Sequence, residues 1–301
     1  MNRVCVLLST YNGEKYVREQ MDSLRAQKGV DLKIVVRDDG STDHTCQILE
    51  TEYPEAELRK ERNVGCERSF MELLYSAPEA DYYAFCDQDD VWMEDKLDAA
   101  VKKLAEMKGP AIYGCNLMAC DEDLKPMKVI HDEKSVDTLR KMIDKGCFFN
   151  LHGCVLVWNK CLQEVLIKHR PSYVTAHDTW VNYVGNLIGT MVIDEEPHIY
   201  YRLHGNNVSG YAQNGRERLK KGFSRYFGKN HPRRDLLAKE LLDGYASEID
   251  RSRKSYHEVK LLAEYKRSLL SRIFLMRSDS IKLKKNPDRI FWRLCILVGS
   301  Y

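Results

Sequence analysis

The chain has 301 residues, 44% of them hydrophobic and 31% charged, enough for one large domain or a domain with an appendage in a soluble globular protein. Its longest apolar runs, such as Val4–Leu8 and Leu294–Val298, are far too short to cross a bilayer, and no basic lead with a long apolar region marks a signal peptide at the N-terminus. The formal net charge of +2 hides an asymmetry: residues 1–210 carry 25 Lys+Arg and 35 Asp+Glu, net −10, while residues 211–301 carry 22 and 10, net +12.

In chain order, Val4 to Ser9 reads as a continuous apolar strand, turned by Thr10-Tyr11-Asn12-Gly13. Val17, Met21 and Leu24 recur at helical spacing up to Gln27. Leu32 to Val36 is a second apolar strand, ending at Arg37-Asp38-Asp39-Gly40. Ser41 or Thr42 is placed to cap a helix through Ile48 and Leu49. Phe70, Leu73 and Leu74 mark a third helix, and Tyr82–Cys86 has strand length and composition. Leu97, Val101 and Leu104 form the stripe of a fourth helix, ended by Gly109-Pro110. Ala111 to Ala119 returns as a strand. This alternation is the signature of βαβ units and a mostly parallel sheet. Right-handed crossovers then bring Thr10, Asp38-Asp39 and Asp87 to one edge, where three polar turns converge on a crevice.

After about residue 120 the pattern loosens. Asp121 to Gly146 is polar, with a helix predicted around Leu139–Ile143. Cys154–Val157 is another strand, followed by a helix from Lys160. Asp178 to Ile188 reads as helix, Met191–Ile193 as a short strand, and Pro197 to Gly210 as a Gly- and Asn-rich loop. From Arg216 onwards Lys and Arg interleave with Leu, Ile, Phe and Tyr, as in amphipathic helices. Ten cysteines occur without any Cys-x-x-Cys spacing, so no zinc site is indicated and a reducing cytosol is the expected compartment.

The chemistry concentrates at residues 85–92, Phe-Cys-Asp-Gln-Asp-Asp-Val-Trp. Three carboxylates at a strand end repel one another unless a cation sits among them, and a hard divalent ion such as Mg²⁺ commonly bridges carboxylates to substrate phosphates. The alternative is a solvated acidic turn before the next helix. Tyr11 follows the first strand and could stack on a base, and Asp39 sits where a pyrimidine N3–H could be accepted. Ordinary turn chemistry would explain both. Neither G-x-G-x-x-G nor G-x-x-x-x-G-K-[ST] occurs, which disfavours a dinucleotide fingerprint and a P-loop. His177-Asp178-Thr179-Trp180 opens a helix, with Asp178 as cap or general base and Trp180 as a face for a sugar. Arg202 is a phosphate-type donor, and His204 could join a hard-ion site at Asp87 and Asp89.

This ordered set resembles a family 2 glycosyltransferase of the GT-A fold over roughly residues 1–210. The motifs are Ser-Thr-Tyr-Asn, Asp-Asp-Gly-Ser-Thr-Asp, Asn63-Val-Gly65, Asp87-Gln88-Asp89, Asp178 and a late His. Asp-Gln-Asp-Asp-Val-Trp, His-Asp-x-Trp and Tyr-Arg-x-His-Gly-Asn-Asn look most like bacterial rhamnosyltransferase-type members. The resemblance implies a Rossmann-like α/β domain at 1–210 with a basic, largely helical extension at 211–301. It implies that Thr10 and Tyr11 line the base pocket, that Asp39 holds the pyrimidine N3 and that Arg68 lies near the nucleotide. Asp87 would touch the ribose or a metal-bound water, Asp89 and His204 would ligate Mn²⁺ or Mg²⁺, and Asp178 would be the general base. One departure is that members often carry two adjacent acids where this chain has His177-Asp178.

The expected activity is inverting, metal-dependent transfer of a sugar, rhamnose among the candidates, from a UDP- or dTDP-sugar to a hydroxyl of a growing cell-surface polysaccharide or polyprenyl-linked acceptor. The expected place is the cytoplasm, peripherally on the inner face of the plasma membrane. There the basic extension would meet anionic lipid, with Phe291-Trp292 and Leu294–Val298 dipping into the interface beside Arg289 and Arg293. The competing role for the extension is to pack on the body and complete its core. Two other functions compete: a nucleotidyltransferase making activated sugars, which would need a Gly-rich basic loop after the first strand, and a non-enzymatic protein binding nucleic acid or an anionic surface. The acidic body repels phosphate, so no nucleic acid partner is expected.

Overall fold

The uninterrupted apolar run Val4–Leu8 is fully buried because its strand lies inside a sheet covered on both faces, the usual setting of such runs. The structure, a computed structural model, describes residues 1–173, 176–204, 233–284 and 286–301. Its strands are β1 (Arg3–Thr10), β2 (Asp31–Asp38), β3 (Glu57–Lys60), β4 (Tyr82–Cys86), β5 (Val91–Trp92), β6 (Ala111–Cys120), β7 (Pro126–Val129), β8 (Leu156–Asn159) and β9 (Thr190–Arg202). They form one 9-stranded sheet in the order β3-β2-β1-β4-β8-β6-β9-β5, with β7 on β6. The strands β1, β2, β3, β4, β6 and β9 point one way and β5, β7 and β8 the other. The sheet is therefore mixed and mostly parallel, as expected.

Between the strands run α1 (Val17–Arg25), α2 (Thr45–Glu52), α3 (Cys66–Tyr75), α4 (Lys96–Ala105), α5 (Glu133–Asp144), α6 (Lys160–Leu166) and α7 (His177–Ile188). The stripes read from the sequence face the core: Val17, Met21 and Leu24 on α1, and Leu97, Val101 and Leu104 on α4, are all buried. α7 packs closely on β6 at Gly185, where a Cβ would come within 2.6 Å of Ile112 Cγ2. That approach fixes the axis of the helix that begins at His177.

Two local expectations fail. Neither Ser41 nor Thr42 caps α2. The N-cap position is His44, whose side chain makes no cap hydrogen bond, and Asp43 just before it accepts the Thr45 N–H at 3.0 Å, while the Ser41 hydroxyl donates to Asp38 and the Thr42 N–H to Asn12 Oδ1. The stretch from Pro197 is not loop as far as Arg202 but the second half of β9, and Gly205 to Gly210 lies outside the described residues. Pro197 is tolerated because the β6–β9 register shifts on either side of Asn116, as irregular pairing allows. The Asn116 amide replaces lost ladder bonds by donating to Glu195 O and His131 O.

The C-terminal part contains α8 (Arg234–Gly244), α9 (Lys254–Glu264), α10 (Leu269–Met276), α11 (Asp279–Lys282) and α12 (Asn286–Val298). Leu237, Leu241, Tyr245 and Val259 join the same buried core as the sheet, and the Tyr245 hydroxyl donates to Leu166 O at 3.1 Å. α8 and α9 thus complete the body. The amphipathic stretch expected from Arg216 lies outside the described residues up to Pro232. Among the described residues, no helix is long and apolar enough to cross a membrane.

Candidate active site

The register of the parallel strands builds the site. Thr10 stands opposite Asp38, and Leu8 opposite Cys86, so the turns after β1, β2 and β4 open together at the carboxyl edge. Ligands of open α/β sheets bind at that edge. A cleft of about 740 Å³ lies there, lined among others by Tyr11, Asp39, Asp87, Asp89, Asp178 and His204. Residues from five separate segments of sequence therefore share one cavity, as the motif order implied.

In the acidic turn Gln88, Asp89 and Asp90 have separate partners. Gln88 accepts the Tyr11 N–H at 2.9 Å and donates to the Tyr11 carbonyl at 3.0 Å, tying the turn after β1 to the turn after β4. Asp89 Oδ2 lies 2.8 Å from His204 Nε2, the two residues expected to share a cation. Asp90 is buried; its Oδ1 accepts the Arg202 N–H at 3.1 Å, while Oδ2 has no hydrogen-bond partner. Burial, then Asp89, then Asp178 push the Asp87 carboxyl up from the ordinary range. Burial, then Asp89 and Asp87, push Asp90 well up. Ligand atoms of Asp87, Asp90 and Cys154 all lie within 4.8 Å of one another. An orphaned buried carboxylate oxygen and crowded acids are what a divalent cation would relieve. That cluster is two carboxylates and one thiol, and the Asp89–His204 pair adds a further carboxylate and an imidazole; taken together the donors are mostly oxygen, which suits Mn²⁺ or Mg²⁺ better than a thiol-rich set would.

At the end of the cleft formed by the turns after β1 and β2, Tyr11 is 48% exposed on the wall. Asp39 is buried and oriented on three sides: Arg37 Nη1 donates to Oδ1, as does the Val64 N–H at 2.9 Å, and the Gly65 N–H donates to Oδ2 at 2.8 Å. A carboxylate has about four acceptor positions, which leaves room for one more donor. The Asn-Val-Gly motif therefore holds Asp39 in place. Thr10 does not line this pocket. It is buried, and its hydroxyl donates to Asp38 at 2.9 Å. Arg68 is exposed on α3 and is not among the residues lining the cleft.

Asp178 sits in the first turn of α7, its Oδ1 accepting the Thr179 N–H at 2.5 Å. His177 is buried, stacked on Phe70 at 4.0 Å and edge-on to Phe85 at 5.0 Å. Neither ring nitrogen has a hydrogen-bond partner, and burial pushes its pKa down to about 3. The neutral ring therefore brings no positive charge beside Asp178. Trp180 is no sugar platform. It is fully buried on the far side of α7, 5.9 Å from the Tyr245 ring.

Arg202 is likewise no phosphate contact. Only 2% exposed, it donates from Nε to Asp89 O at 2.9 Å, from Nη1 to Glu122 O and from Nη2 to Glu19. Its guanidinium lies 4.6 Å over the Tyr16 ring. It clamps the acidic turn from behind. Sequence reading missed Gln88 and Arg37 as supports, and missed Tyr16, whose ring stands 5.1 Å from His204.

The model of the family described as Glycosyl transferase family 2 matches residues 5–166. The chain is 29% identical over 225 residues to the dTDP-rhamnosyl transferase RfbG of Shigella flexneri, covering 67% of this chain and 73% of that one. It is 27% identical over 266 residues to an uncharacterized glycosyltransferase of Nostoc sp., covering 83% and 80%. Among solved structures it resembles S. aureus TarS 1-349 in complex with UDP-GlcNAc, with TM-score 0.55, 17% identity and coverage of 99% of this chain and 89% of that one. It also resembles the mannosyltransferase PcManGT of Pyrobaculum calidifontis in complex with GDP-Man and Mn²⁺, with TM-score 0.53, 18% identity and coverage of 99% and 86%. At these identities the structural likeness establishes the GT-A fold.

Proposed function

From the premise that the chain belongs to glycosyl transferase family 2, enzymes that take nucleotide-sugar donors, we propose that it is an inverting transferase. It would move a sugar, rhamnose first among the candidates, from a dTDP- or UDP-sugar to a hydroxyl of a cell-envelope glycan or polyprenyl-linked acceptor. The observation that carries this reading is the single cleft shared by Asp39, the Asp89–His204 pair and Asp178. The rhamnose assignment is supported by the RfbG likeness and by the Asp-Gln-Asp-Asp-Val-Trp run.

Tyr11 stacks on the base and Asp39 accepts the pyrimidine N3–H, its orientation already set by Val64 and Gly65. Asp89 and His204 would hold Mn²⁺ or Mg²⁺, which when bound offsets negative charge on the departing diphosphate. Asp87 lies beside them, toward the ribose. Asp178, fixed by the Thr179 N–H, accepts the proton of the acceptor hydroxyl as that oxygen attacks the anomeric carbon from the face opposite the diphosphate. Configuration inverts in this single displacement and no covalent intermediate forms. The transferase body is 1–210 completed by α8 and α9, and the remainder of the basic region 211–301 would bring the enzyme to the cytoplasmic face of the membrane.

The test is a screen of UDP- and dTDP-sugars with Mn²⁺ or Mg²⁺ for donor hydrolysis or transfer. Turnover of at least one donor, with product of inverted anomeric configuration, is expected. Product retaining the donor's configuration would overturn the single-displacement step, and no donor consumption by folded protein would overturn the reading as a whole.

A further inference from the structure

Among the described residues, seven of the twelve large apolar side chains left in solvent gather on two helices. On α10 Leu269, Leu270 and Phe274 are 62%, 60% and 54% exposed; on α12 Ile290, Leu294, Leu297 and Val298 are 61%, 53%, 45% and 59% exposed. The α12 residues fall at i, i+4, i+7 and i+8, one stripe of a helix. Its opposite side carries the buried Cys295 and Ile296. The two helices are tied together by Arg272, which donates from Nη1 to Leu297 O. A grouped apolar surface of this kind marks an interaction site, whereas scattered exposed apolar residues do not.

This keeps part of the face read from the sequence, Leu294, Leu297 and Val298 beside Arg293, and drops the rest. Ile296 is fully buried, and Phe291 and Trp292 are half-buried, with Trp292 5.2 Å from the Tyr301 ring. Ile290 and the α10 residues Leu269, Leu270 and Phe274 extend the face beyond that stretch.

Its charge selects the occupant. No Asp or Glu occurs between Tyr265 and Ser278 or between Arg289 and Tyr301. Exposed Arg293 lies within the α12 stripe, and exposed Arg277 lies one turn beyond Phe274. The other cations nearby are engaged: Arg267 with Glu264, Lys266 with Asp235, and Arg272 with Leu297 O. A second copy laid face to face would oppose these arginines with arginines and offer no carboxylate, which disfavours that pairing. An anionic lipid surface offers both acyl chains and phosphates. The helices have 8 and 13 residues, suited to lying in the interface rather than crossing it.

We propose that α10 and α12 form an amphipathic docking face for an anionic membrane surface, with Leu270, Phe274, Leu294 and Leu297 entering the headgroup layer and Arg277 and Arg293 binding lipid phosphates. This does not depend on the transfer chemistry, because no residue of the face lines the cleft.

The test is co-sedimentation of the full chain with vesicles of phosphatidylcholine alone or mixed with phosphatidylglycerol, at low and high salt. The intact chain binds the anionic vesicles and is weakened by salt. Leu270→Ser/Phe274→Ser/Leu294→Ser/Leu297→Ser lowers vesicle affinity roughly a hundredfold or more, since four apolar groups no longer leave water. Arg277→Gln/Arg293→Gln lowers it about tenfold or more and removes the preference for anionic lipid. Circular dichroism melts of both variants match the parent. No binding of the intact chain to anionic vesicles at low salt overturns the proposal, as does equal binding by the four-serine variant. A concentration-dependent dimer that the same variant dissolves, seen by sedimentation velocity, assigns the face to a second copy and also overturns it. Vesicle binding does not read turnover, so failure here is distinct from failure of the transferase reading.

Discussion

Replacing Arg202 separates a clamp from a ligand contact. The guanidinium donates to two backbone carbonyls, Asp89 O and Glu122 O, and to the Glu19 carboxylate. Glu19 is 52% exposed in its side chain, so it regains water when the arginine is lost and its share is discounted. Each carbonyl loses a charged donor, a bond of about 1.5–3 kcal/mol. Methionine would recover much of the packing of the stem. The expected cost of Arg202→Met is therefore about 3 kcal/mol, the low end of that pair. For a chain of this size that is a fall of about 6 °C in melting temperature. Arg202→Lys should not rescue it, because an ammonium cannot span a forked set of acceptors. Thermal melts followed by circular dichroism give the stability, and calorimetry with UDP or dTDP gives the nucleotide affinity. An unchanged melting temperature with a large loss of nucleotide affinity would refute the clamp and restore a phosphate contact.

Asp178→Asn keeps the shape of the side chain and removes its basicity. Turnover should fall about 10²-fold or more with nucleotide affinity unchanged, and near-normal turnover would move the base elsewhere. Asp89→Asn and His204→Ala should each abolish transfer, and excess chelator should silence the parent until Mn²⁺ or Mg²⁺ returns; full activity in chelator would remove the cation from the reaction. His177 carries a pH signature. Burial lowers its pKa from 6.5 to about 3, so between those values the unfolded chain binds a proton that the fold refuses. Stability is then lost as pH falls below 6.5, amounting to about 2 kcal/mol at pH 5. Urea unfolding from pH 7 to 4 should show a shallower acid slope in His177→Leu than in the parent, and equal slopes would show that the ring is not held neutral.

The elements that sequence reading located were those whose local pattern and tertiary role agree. Tyr82–Cys86 is a strand because it is apolar throughout, and it is apolar because it is covered on both faces. The elements it missed have patterns set by position in the sheet. β3, Glu-Leu-Arg-Lys, is charged because it is an edge strand exposed along one side, as such strands often are. β5 has two residues, too few for a period to show. The second half of β9 carries Pro and His, read as loop residues, because an irregular ladder to β6 and the Asn116 amide accommodate them.

The site was legible in its membership and less so in its division of labour, for one physical reason. Asp87, Asp89 and Asp90 are chemically identical, and Gln88 between them looks like a spacer. Their roles are assigned by groups far away in sequence. Gln88 becomes the fastener because Tyr11 arrives beside it at the end of β1. Asp89 becomes the cation candidate because β9 carries the chain on to His204. Asp90 is withdrawn into the core because the Arg202 N–H meets it there. The arginine that looked like a phosphate donor is used up holding this turn, and Trp180 is used up under α7. A motif reports which residues meet at a strand end; β9 decides which of them still face the cleft. The long strand that sequence reading broke into a short strand and a loop is therefore the element that sorts the carboxylates.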